Sequence, residues 1–205
     1  MTPMEDGAVS GLHLHLPFQI TVCGIQELEC HASGQVSHVL SILDPDHVEP
    51  EAFGAYGEHA KLELRFHDVI EEAPGIQPPQ PQHVAEILSF GRDMLRDPDA
   101  LRHLLVHCHM GISRSTASMA LLLAQAQPHA SARDVLRQVL AIRERAWPNL
   151  RILTFGEEQL GRDGEFTNAA AEIYRIQLGR RPELKDFFLE VGRAREVELA
   201  RAANM

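Results

Sequence analysis

The chain has 205 residues, 44% of them hydrophobic and 23% charged, enough for one domain with a substantial core or for a domain with an appendage. A formal net charge of -10 disfavours nucleic acid or an anionic membrane as the main partner, and no apolar run approaches the roughly 20 residues of a membrane span. Cys23, Cys30 and Cys108 are too few, and odd in number, for a disulfide framework, and MTPMEDGAVSGLHLHLPF carries acids where a signal peptide carries bases, so a cytoplasmic protein is expected.

In chain order, QITVCGI (19–25), VSHVLSIL (36–43) and AKLELRF (60–66) read as strands from their β-branched or alternating character. VIEEAPGIQPPQPQ (69–82) holds four prolines and reads as an extended loop. Val84, Ile87, Leu88 and Leu95 then fall on one face of a helix over about 82–96, ended by Asp97-Pro98. LRHLLVHC (101–108) is apolar enough to be a strand buried on both faces. RSTASMALLLAQAQ (114–127) is a helix stopped by Pro128, and a further helix follows with Ser131 as N-cap. Another begins at Pro148-Asn149 and ends at Gly161, with Asn149 its cap and Trp147 packed beneath it; two more occupy about 167–178 and 182–202. This order predicts an α/β fold, a central, mostly parallel sheet flanked by helices. The division expected is an N-terminal segment (1–17), a catalytic domain (18–161) and a C-terminal helical extension (162–205) packed on the same domain, as structural cover, a dimer interface or a recruiting surface.

The chemistry concentrates where the fourth strand ends at His107-Cys108 and the next helix begins at Arg114. A nucleophile at the end of a buried strand, followed by a tight turn into a helix N-terminus, sits where an α/β sheet places its ligand. Successive backbone N–H groups in such a turn form an anion nest, and the helix adds positive potential. These surroundings favour a thiolate and bind phosphoryl oxygens. In this reading His109, Met110, Gly111, Ile112 and Ser113 supply the nest, and Arg114 grips two phosphate oxygens with its planar fork. Gly111 permits a backbone conformation that a Cβ would obstruct, Ser115 is placed to donate its hydroxyl to the sulfur, and His107 shapes the loop as a buried hydrogen-bonding partner. No Asp or Glu occurs between Asp99 and Asp134, as suits either a buried strand and helix or a site that admits an anion. A Cys with an Arg six positions later is weak evidence alone; His107, Gly111 and Ser115 make the string specific.

The segment VHCHMGISRS resembles the signature of the protein tyrosine phosphatase superfamily, closest to its dual-specificity branch and bacterial relatives. QITVCGIQEL and VSHVLSIL are similar to that branch's opening strands, and AWPNLRILTFGEEQL to its helix after the signature, so the resemblance covers about 18–161. It implies a cysteine-dependent phosphatase that forms phosphocysteine on Cys108, without metal or other cofactor, and acts on a phosphorylated protein or peptide. Phosphotyrosine is the first expectation, with phosphoserine and phosphothreonine open. It also implies a general acid on a loop after an earlier strand, where Asp68 stands. The 40 residues from Asp68 to Cys108 exceed that branch's usual spacing, and Glu71 and Glu72 are rivals on the same loop.

Alternatives remain at this stage. The same chemistry serves a phosphoinositide or an RNA 5′-phosphate, though the loop has no lysine and the chain is acidic; a non-catalytic phosphate-binding module is the reading from another class. Cys23 or Cys30 could cap an oxidised Cys108 as a disulfide. The histidines lack metal-ligand spacing. Tyr56 is the one candidate for an aromatic that stacks on a substrate ring. Oligomeric state is left open.

Overall fold

The structure, a computed structural model, describes residues 16–202. The expected N-terminal segment therefore lies almost wholly outside the described residues, as do His13 and His15. Four strands, β1 (Gln19–Gly24), β2 (His38–Leu43), β3 (Ala60–Arg65) and β4 (His103–Cys108), form one sheet in the order β1-β4-β2-β3. Every pairing is parallel, so the sheet is wholly parallel where a mostly parallel one was expected. All six residues of β2 and of β4 are buried, while β1 and β3, at the edges, are partly exposed. That is the pattern of a parallel sheet covered on both faces.

Seven α-helices surround it among the described residues: α1 (Pro81–Arg96), α2 (Arg114–Ala126), α3 (Ala132–Ile142), α4 (Leu150–Leu160), α5 (Glu165–Arg180), α6 (Leu184–Glu190) and α7 (Ala194–Ala202). Short 3-10 turns at Ile25–His31 and Glu51–Ala55 were not anticipated. α1 starts inside the proline-rich stretch, where Pro81 lacks only an N–H that the first turn would leave unpaired anyway. Residues 114–124 of α2 are all buried, as its near-absence of charge requires. Asn149 caps α4 by accepting from the Ile152 amide at 3.1 Å, and Gly161 closes it at φ 67°. Glu157 caps α5, accepting from the Phe166 and Thr167 amides at 2.8 and 2.9 Å.

The helix expected over 182–202 is two helices. Gly192 takes φ 76°, the left-handed conformation that glycine enters without a Cβ penalty, and ends α6; the Arg193 amide closes the turn on Phe188 O at 2.8 Å. The break turns Arg193 inward. The main core runs from Leu40, Leu104 and Val106 on the sheet through α2 to Phe166, Ile173, Tyr174, Phe188 and Val197, so the last three helices share it. A smaller cluster, Cys23, Leu28, Val36, Val39 and Leu105, covers the opposite face.

Candidate active site

β4 delivers Cys108 to the C-terminal edge of the sheet, between β1 and β2, and α2 starts six residues later. The loop between them is defined by where its backbone groups go. The carbonyls of residues 109–113 all turn outward: His109 O accepts from the Ile25 amide, Ile112 O from the Trp147 amide, and Ser113 O from the Asn149 and Ala117 amides. Arg143 takes the other two, reaching Gly111 O with Nε at 3.1 Å and Met110 O with Nη2 at 2.9 Å. None of the amides of residues 109–114 donates to a partner among the described residues. A loop with its acceptors used and its donors free is a nest for an anion. Gly111 makes the geometry possible: at φ 66°, a Cβ there would lie 2.4 Å from Cys23 C and 2.7 Å from Gly24 N.

The side chains answer the same centre. Cys108 is 2% exposed, with Sγ 3.2 Å from Ser115 Oγ. Arg114 is equally buried; its Nη1 donates to Asp44 Oδ1 at 2.7 Å and to Phe66 O at 2.5 Å. Its Nε is buried without a partner among the described residues, so the Nε edge of the guanidinium is unused by the protein. A buried, unpaired cationic donor is costly unless a ligand completes it.

Cys108, Arg114, His109, Met110, Ile112 and Ser113 line one cavity of about 430 Å³, and Asp68 is the only carboxylate among its lining residues. Asp68 Oδ1 accepts from Ser113 Oγ at 2.6 Å, Asn149 Nδ2 at 2.9 Å and Arg193 Nη1 at 3.3 Å, while Oδ2 takes no partner among the described residues. Burial alone would raise the Asp68 pKa; the charges of Arg193 and Arg114 and the Ser113 and Asn149 hydrogen bonds outweigh it and hold the carboxyl below its usual range. The rivals point elsewhere: Glu72 pairs with Arg151 at 2.9 Å and Glu71 with Arg195 at 3.1 Å, and neither lines the cavity. His107 is fully buried against Ser41 Oγ at 2.8 Å on β2, and burial pushes its pKa down to about 4. His109 faces Asp44 and stacks edge-on with His47.

Two expectations fail on geometry. β1 pairs in register so that Cys23 lies beside His107 and Gly24 beside Cys108; successive side chains face opposite sides, and Cys23 packs in the small cluster away from Cys108. Cys23 is therefore not placed to form a disulfide with Cys108, and burial, with Glu27 adding to it, pushes its thiol up to about 12. Tyr56 sits on the same far face, donating to Leu28 O at 2.7 Å, and does not line the cavity.

Neither a family model nor a curated protein sequence matches the chain. Solved structures do. Human DUSP28 superposes with a TM-score of 0.53 at 16% identity, over 69% of this chain and 91% of that one. DUSP15 gives 0.51 at 21% identity over 81% and 93%, and the human tyrosine phosphatase-like serine/threonine/tyrosine-interacting protein gives 0.50 at 19% over 68% and 85%. The chain has the protein tyrosine phosphatase fold. Within that fold the candidate nucleophile stands at the end of β4, as the motif implied.

Several residues that build this phosphatase-fold site carried no signal in the sequence. Asp44 follows β2 and steers Arg114. Glu27 and Arg143 form a two-pronged pair at 2.8 and 2.7 Å that braces the loop from outside. Arg193, from the C-terminal extension, binds Asp68 and Ser113 Oγ (2.9 Å) and is itself held by Glu196 at two 2.7 Å contacts. Glu196, fully buried, also accepts from Trp147 Nε1 at 2.5 Å and the Leu150 amide at 3.0 Å. Asn149 was expected to cap a helix; it also holds the loop of Asp68.

Proposed function

We propose that the chain is a cysteine-dependent phosphatase that hydrolyses phosphomonoesters on proteins, with phosphotyrosine the main substrate, through a phosphocysteine intermediate. The observation that carries the reading is the row of unpaired amides from 109 to 114 around Cys108, with the unpaired Nε edge of Arg114 beside it. These donors suit the three non-bridging oxygens of a phosphoryl group and match its charge as it transfers.

In the first step Cys108 Sγ attacks phosphorus, the S–P bond forms as the bond to the ester oxygen breaks, and Asp68 Oδ2 delivers a proton to the departing oxygen. Anchoring Oδ1 to three donors fixes the carboxyl and leaves Oδ2 for proton transfer. A bound phosphate dianion disfavours a second negative charge beside it and so supports the protonated acid. In the second step Asp68 takes a proton from water, the new O–P bond forms as the S–P bond breaks, and the Ser115 hydroxyl, 3.2 Å from sulfur, stabilises the departing thiolate. The reading calls for no metal and places the enzyme in the cytoplasm.

The test is release of nitrophenol from p-nitrophenyl phosphate between about pH 5 and 7. Release that survives EDTA, stops with vanadate and disappears in Cys108→Ser supports the mechanism. Undiminished turnover in Cys108→Ser overturns it, and no release at any pH in that range leaves a phosphate-binding module instead.

A further inference from the structure

The floor of the cavity is polar, and its wall, which also carries Arg145 and Arg181, has one apolar stretch. Met110, Phe187 and Val191 are exposed by 63%, 53% and 45%, yet all three line the same cavity as Cys108. Single exposed apolar side chains are ordinary; three around one opening mark a binding surface. Leu184, Phe188 and Trp147 continue the wall inward. It is rigid: Phe188 stacks on Trp147 with ring centroids 4.0 Å apart and 16° between planes, Trp147 is pinned to Glu196, and Phe187 meets Phe188 edge-on at 5.2 Å. With the phosphoryl group among the loop amides, whatever is attached to the ester oxygen must pass this wall.

We infer that α6 and the residue after it form an aryl-selecting wall, in which Phe187 and Val191 make the enzyme prefer phosphotyrosine over phosphoserine. The inference rests on the phosphatase reading and names residues that set its substrate class. A phenyl ring attached at the ester oxygen matches the apolar wall and offers an aromatic edge or face to Phe187. The single methylene of phosphoserine is too short to cover it. An inositol or ribose ring would turn hydroxyls against Phe187 and Val191; Arg145 and Arg181, elsewhere in the lining, suit acidic residues beside a phosphotyrosine as well as further phosphates, so inositol phosphate is included in the test.

Hydrolysis of two peptides of one sequence, bearing phosphotyrosine or phosphoserine, is to be compared in wild type, Phe187→Ala and Val191→Ala, with inositol phosphate as a third substrate and thermal midpoints recorded. Phe187→Ala is expected to lower kcat/KM for the phosphotyrosyl peptide about tenfold, mainly through KM, and for the phosphoseryl peptide by less than about twofold. Val191→Ala moves the ratio the same way by a smaller factor, and serves alone should Phe187→Ala unfold. Equal losses on both peptides or an unmoved ratio in both variants overturns the inference while the phosphatase reading stands; wild-type preference for inositol phosphate overturns the inference and the protein substrate together, and leaves only the cysteine chemistry. A wild type without phosphatase activity overturns both.

Discussion

Replacing Arg193 with Met tests whether the C-terminal extension holds the site together. Arg193 is 3% exposed and Glu196 fully buried. The substitution removes two 2.7 Å charge-assisted hydrogen bonds from the Glu196 carboxylate, leaving it Trp147 Nε1, the Leu150 amide and the Tyr174 hydroxyl, all neutral donors. Stranding one member of a buried ion pair costs about 3–5 kcal/mol, a large part of the roughly 5–15 kcal/mol that holds a domain folded. With a urea m-value of about 2–3 kcal/mol/M, the unfolding midpoint falls by about 1–2.5 M. Arg193→Met with Glu196→Gln removes the stranded charge and should recover at least half of that loss. Activity gives a second readout. Arg193 is the foremost of the groups that lower the Asp68 pKa, so its loss raises that pKa and moves the alkaline limb of the kcat/KM–pH profile, where the general acid gives up its proton, to higher pH. The stability sign follows too: a carboxyl whose folded pKa is depressed contributes above its unfolded value, near pH 3.9, and loses that contribution as pH falls through the folded value, so the variant has less to lose on acidification. Equal urea midpoints for Arg193→Met and wild type, or a double variant as unstable as the single, would refute the reasoning.

Other outcomes follow from single contacts. Gly111→Ala puts a methyl 2.4 Å from the Cys23 backbone at φ 66°, so the loop must shift; turnover should fall by at least about a hundredfold while the protein still folds, as checked by circular dichroism and p-nitrophenyl phosphate kinetics. Arg143→Met frees the carbonyls of Met110 and Gly111 and should reduce kcat/KM by roughly tenfold, with phosphate affinity falling in parallel by calorimetry. His107 binds its proton only near pH 4 when folded but near pH 6.5 when unfolded, so the unfolded chain takes up more protons in between and stability falls as pH drops through that window. The full effect is about 3 kcal/mol, and His107→Asn should flatten the slope of unfolding free energy against pH between those values.

The parts of the molecule that were legible in the sequence are those governed by local pattern. β4 announced itself because a strand buried on both faces admits few polar residues, and α4 because Asn149 and Gly161 mark its ends. The loop of Cys108 was readable because its chemistry needs fixed spacing within a few residues. Asp44, Glu27, Arg143 and Arg193 were not, since each reaches the site across a tertiary gap and carries no local signature: Arg143 meets Glu27 over a separation of 116 residues and Arg193 meets Asp68 over 125. The single helix expected over 182–202 failed because periodicity continues through Gly192, whereas the backbone there turns left-handed so that Arg193 can enter the core. Sequence separation says nothing of facing and so leaves Cys23 open as a partner for Cys108; the register of β1 against β4 turns the two side chains to opposite faces.

The seating of Arg193 against Asp68 also sets an order of events during synthesis. Chains emerge from the ribosome N-terminus first at roughly 5–20 residues per second, and domains fold as their parts become available. The stretch from Cys108 to Arg193 keeps Cys108 waiting for several seconds after it has left the exit tunnel, before the last helices can fasten the loop of Asp68. A nascent chain, or one cut before residue 193, thus holds Cys108 with the loop of Asp68 unfastened, and should be more open to proteolysis around that loop than the folded chain.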